Sequence, residues 1–81
     1  MQKHDVLYIY DLTPKNKQDL GKIKRRFYYH LNKYNIFIKR TTKSAIIVKK
    51  EYEKPIDNLF HHFSENIIVY KFKVIGMEIF K

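Results

Sequence analysis

Ile36-Phe37-Ile38-Lys39-Arg40-Thr41-Thr42-Lys43-Ser44-Ala45-Ile46-Ile47-Val48 contains two strand-like runs around a polar break. Aromatic and β-branched residues from Ile36 to Arg40, and the nearly unbroken apolar run from Ser44 to Val48, favour extended backbone. Thr41-Thr42-Lys43 serves as a tight connection between them. Upstream, Leu20, Ile23, Phe27, Leu31 and Tyr34 recur at helical spacing, an apolar stripe with charges on the remaining faces. Thr13 is placed to cap this helix, with Pro14 at its first position. Before it, Val6-Leu7-Tyr8-Ile9-Tyr10 has strand composition and runs into the turn-like Asp11-Leu12-Thr13-Pro14.

Downstream, Glu51 to Lys54 closes the sheet segment. Pro55 opens a short second helix ending near Asn66, whose Ile56, Leu59, Phe60 and Phe63 fall at i, i+3, i+4 and i+7. Ile67 to Phe72 reads as a further strand, and Ile75 to Phe80 as one more. The expected fold class is therefore α+β, one domain over residues 1–81. It is a ferredoxin-like βαββαβ unit with an antiparallel sheet, both helices on one face and an additional C-terminal strand. Strands three and four carry apolar residues at consecutive positions, so both sheet faces call for cover. One chain has helices for one face only, and a homodimer through the open face is expected.

The 81 residues hold 17 Lys and Arg against 8 Asp and Glu, a formal net charge of +9. Twelve of the seventeen lie in two stretches: Lys15, Lys17, Lys22, Lys24, Arg25, Arg26 and Lys33, then Lys39, Arg40, Lys43, Lys49 and Lys50. A compact domain at that charge repels itself unless a polyanion neutralises it. Nucleic acid is the first expected partner and an anionic membrane the second, while a solvated surface with no partner is the reading that stands next after nucleic acid. The membrane reading fails on detail, because the basic helix carries charge around most of its circumference and its narrow apolar stripe is needed by the core. There is no cysteine, which removes disulfides and thiolate chemistry. No run is long enough to span a bilayer, and the amino end lacks an apolar leader with a cleavage site. A soluble, cytoplasmic protein is expected.

Arg25-Arg26-Phe27-Tyr28-Tyr29-His30 interleaves cations with aromatics, and Lys39-Arg40-Thr41-Thr42-Lys43-Ser44 mixes cations with hydroxyls. Both suit a sugar-phosphate backbone. The candidate nucleic-acid-binding residues are Lys15, Lys17, Lys22, Lys24, Arg25, Arg26, Lys39, Arg40 and Lys43. Asp11 falls where the first strand gives way to a loop. It is either a turn-forming aspartate or a catalytic and metal-binding carboxylate. A single carboxylate is a poor Mg²⁺ site, but a twofold axis would bring two copies of Asp11 to one. His61 and His62 point away from the second helix's stripe; Asp57 stands four residues before His61, but with no third ligand at a recognised spacing the two histidines read as exposed and structurally incidental. The two glycines, Gly21 and Gly76, form no phosphate loop, which argues against a nucleotide cofactor.

Leu7-Tyr8-Ile9-Tyr10-Asp11-Leu12 resembles the first ribonucleoprotein motif of RNA-recognition domains, in which an aromatic at the Tyr8 position stacks on a base. Where that family has aromatics on its third strand, this chain has Ala45-Ile46-Ile47-Val48. A fuller resemblance is to the CRISPR-associated adaptation proteins called Cas-two. Val6-Leu7-Tyr8-Ile9-Tyr10-Asp11-Leu12 looks like that family's opening strand and Lys24 to Leu31 like its basic first helix. Ile36 to Arg40 with Lys43 to Val48 looks like its paired strands. The resemblance implies a homodimer that holds duplex DNA during spacer integration together with the integrase protein. In some members it implies a Mg²⁺-dependent endonuclease activity, for which only Asp11 carries over. Lys39-Arg40-Thr41 stands where a glutamine often precedes the serine, and Tyr34-Asn35 where a glycine usually follows the first helix. The alternative function is an RNA-binding or toxin-like ribonuclease module on the same scaffold.

Overall fold

The computed structural model describes residues 4–75. Four strands and two helices follow one another as β1 (Asp5–Leu12), α1 (Leu20–Asn32), β2 (Ile38–Thr42), β3 (Ala45–Lys49), α2 (Glu53–His62) and β4 (Ile67–Val74). The sheet order is β2-β3-β1-β4 and every neighbouring pair is antiparallel. β3 lies between β2 and β1, and β1 between β3 and β4, which makes two interlocked split βαβ units compatible with a ferredoxin-like fold. The expected strand from Ile75 to Phe80 falls, from residue 76 onward, outside the described residues.

Alternation along β1 divides the sheet into two unlike faces. Val6, Tyr8 and Tyr10 are buried beneath the helices, joined by Ile46 and Val48 of β3 and Ile67 of β4. Phe27 and Leu31 of α1 and Ile56, Leu59 and Phe60 of α2, followed by Phe63, close this core from above. Phe27 sits at its centre, its ring centroid 5.2 Å from that of Tyr10 and 5.6 Å from those of Phe60 and Phe63. Leu7, Ile9 and Asp11 take the other face. There Leu7 stands between Ile47 and Phe72, and Ile9 between Ala45 and Tyr70. No helix among the described residues is long and apolar enough to cross a membrane.

Several boundaries differ from the sequence expectation. Thr13 does not cap α1: its amide donates to the Asn66 carbonyl at 2.7 Å, prolonging the β1–β4 ladder. A 3₁₀ turn at Lys17–Asp19 then leads into the helix. The stripe holds for Phe27 and Leu31, with Ile23 and Tyr34 partly covered, but Leu20 is 42% exposed because the helix has only begun there. Tyr34 and Phe37 donate to the carbonyls of Leu31 and Tyr34. Helical turns thus persist past Asn32, and β2 begins at Ile38 rather than Ile36. Pro55 is the third residue of α2, still within the first turn, where its missing amide proton costs nothing. Amides of Phe63 and Ser64 reach back three residues to Phe60 and His61, tightening and ending α2 before Asn66. A bulge interrupts the β2–β3 register between Arg40 and Thr42.

Candidate nucleic-acid interface

Lys24 and Tyr28 lie four residues apart on α1 and so share one face of the helix. That face meets the β2–β3 turn. Asp11, Lys24, Tyr28, Lys43 and Ser44 line an open cleft of about 250 Å³. The backbone carbonyl of Lys43 accepts the Tyr28 hydroxyl at 3.0 Å and the Tyr10 hydroxyl at 3.3 Å, one for each lone pair. The Arg40 guanidinium lies over the Tyr28 ring, 4.9 Å from its centroid. Burial, and then the Tyr28 hydroxyl, hold the Tyr10 phenol well above its ordinary range, so it stays protonated and remains a donor. Lys24, Arg40 and Lys43, which come from the two basic stretches of the sequence, thus converge at one end of the molecule.

The other cations are arranged differently. Lys15, Lys17, Lys22, Arg25 and Arg26 are all exposed, along the 3₁₀ turn and the outer side of α1. Lys39 does not join Arg40. It pairs with Ile47 and Arg40 with Ile46, so the pleat sends the two side chains to opposite faces. Lys39 instead lines a cleft with Asp5, Ile47 and Lys49. Half of the acids gather elsewhere, Glu51, Glu53, Asp57 and Glu65 lying on or beside α2.

Asp11 belongs to β1 and pairs with Ile68, so it is a strand residue on the open face rather than the start of a loop. Among the described residues it is the only carboxylate lining its cleft, which also holds Lys24 and Lys43. One carboxylate beside two ammonium groups does not fit Mg²⁺. Among the described residues no group of three or more His, Cys, Asp or Glu is placed to hold a metal ion.

One further reading changes. Tyr8 is 1% exposed, under the helices, and cannot stack on a base as the likeness to RNA-recognition domains implies. Its hydroxyl donates to Asp57 Oδ1 at 2.6 Å. Lys71, opposite Tyr8 on β4, donates to Asp57 Oδ2 at 2.8 Å and also pairs with Glu53. Burial foremost, then Asp57, pushes the Tyr8 phenol up, while Asp57 and then Glu53 raise Lys71. Both Asp57 oxygens are thereby engaged, and His61 and His62 are exposed. This network ties β1 and β4 to α2 over sequence separations of 14 and 49, beyond the reach of local pattern. Compared with family models, curated proteins and solved structures, the chain matches none.

Proposed function

We propose that this protein binds duplex DNA through its phosphate backbone and works as a homodimer joined through the open face of its sheet. This is the DNA-holding role that the resemblance to Cas-two adaptation proteins implies. The observation that carries the binding is the convergence of Lys24 and Lys43, from two separate basic stretches, on one cleft, with Arg40 lying over the Tyr28 ring that lines it. The apolar open face supports the pairing, since Ile9, Ile68, Tyr70 and Phe72 lie exposed there together. Cations and hydroxyls suit backbone contact rather than base reading, and the one aromatic ring among them, that of Tyr28, is covered by the Arg40 guanidinium.

For backbone contact, log affinity falls against log salt by about 0.9 per phosphate neutralised. The double substitution Lys24→Ala/Lys43→Ala is expected to flatten that slope by about 1.8. Lys39→Ala, on the opposite face, is expected to leave the contribution of the cleft intact. Fluorescence anisotropy with a short duplex over a salt series measures both, and an unchanged slope in the double variant places the interface elsewhere. Competition with single-stranded and structured RNA in the same assay separates this function from the RNA-binding alternative.

Asp11→Asn distinguishes holding from cutting. On the binding function it removes a negative charge from beside the phosphates, so affinity is expected to rise several-fold at low salt. If the protein instead degrades duplex DNA in Mg²⁺ and loses that activity with Asp11→Asn, a dimeric metal site replaces the holding function.

A further inference from the structure

We infer that Tyr10 and Tyr28 are positioning residues for the β2–β3 turn, fixing Lys43 and Arg40 in the arrangement that meets a phosphate chain; this rests on the backbone-binding function proposed above. Tyr28 acts on both cations. Its hydroxyl fixes the main chain of Lys43 at 3.0 Å, and its ring carries the Arg40 guanidinium. Tyr10 adds a second hydroxyl to the same carbonyl, and its amide donates to the Ser44 carbonyl at 2.9 Å. The turn closes on itself as well: the Ser44 amide donates to Thr42 Oγ1, and Thr41 Oγ1 to the Ala45 carbonyl, both at 3.2 Å.

A short exposed turn ordinarily samples many conformations, and ordering it on binding consumes affinity. This turn is tied by hydrogen bonds made within the chain itself, independent of any ligand. The Tyr28 hydroxyl is at the surface, where water replaces its partner readily, so its removal costs the fold little. What it changes is where Lys43 points.

Tyr28→Phe keeps the ring and removes only the hydroxyl. Duplex affinity at fixed salt is expected to fall about three- to tenfold, the scale of one hydrogen bond. The salt slope is expected to stay as it is, because no charge is lost. In the Lys43→Ala background the same change is expected to have little further effect, a coupling that mere destabilisation does not produce. Amide hydrogen exchange at Ser44 is expected to quicken while the thermal midpoint moves by no more than a few degrees. Unchanged affinity, or additive losses in the double variant, overturns the positioning role and leaves the DNA-binding function standing. Failure of the unsubstituted protein to bind duplex removes both, and that control is read first.

Discussion

Phe27→Ala is expected to abolish cooperative folding, or to bring it close to collapse. The side chain is fully buried, and its ring is packed among those of Tyr10, Tyr28, Phe60 and Phe63. Removing such a ring costs about 3–5 kcal/mol, transfer and cavity terms together. A domain of this length is stable by roughly 5–15 kcal/mol and sits near the low end of what one core supports. The melting midpoint is therefore expected to drop by about 20 °C or more. Urea denaturation followed by far-ultraviolet circular dichroism measures the loss. A change below about 1 kcal/mol contradicts the place of Phe27 at the centre of the core. The consequence reaches function, since Tyr10 and Tyr28 flank this ring and their hydroxyls hold the basic turn.

Tyr70→Glu is expected to convert a dimer into a monomer with its fold intact. Tyr70 is 61% exposed in the single chain and lies beside Ile9, with Ile68 and Phe72 on the same face of β4. In the monomer the substitution touches an exposed strand position, where the cost is on the order of 1 kcal/mol or less. In a face-to-face dimer it places an unpaired carboxylate, and by symmetry its twin, in an apolar contact. An uncompensated charge there costs roughly 3–5 kcal/mol, more than a hundredfold in the dimer constant. Sedimentation equilibrium across a concentration series reads the change. If the unsubstituted protein is already monomeric at high micromolar concentration, the open face is not a self-association surface. If the variant remains dimeric, the two copies meet elsewhere.

The order of elements was legible because each carries its own period. The i, i+3, i+4, i+7 spacing of Ile56, Leu59, Phe60 and Phe63 reads directly as the buried face of α2, and all four are buried. The end of β1 was not legible. Thr13 and Pro14 have the chemistry of a helix start, but the ladder to β4 captures the Thr13 amide first. Local propensity yields there to a long-range bond. The cations were legible as a set but not as a site. Lys39 and Arg40 are neighbours in sequence and opposites in the sheet, a distinction visible only once the register is known. Tyr8 reads as a stacking residue by resemblance, Tyr10 as part of a strand and Tyr28 as one of a run of aromatics among cations. Their hydroxyl partners, Asp57 and the Lys43 carbonyl, lie 49, 33 and 15 residues away, and no spacing rule reaches them.

The bulge between Arg40 and Thr42 bears on how the protein behaves when crowded. Among the described residues β2 lies at the border of the sheet, and a straight, flat border strand invites neighbouring molecules to add on, backbone to backbone, without limit. An extra residue bends that rim and spoils its spacing of donors and acceptors. The cations on either side of the kink repel any molecule of the same charge approaching sideways. Association along this margin is discouraged, so growth into extended ribbons is checked at the same strand whose turn faces the cleft.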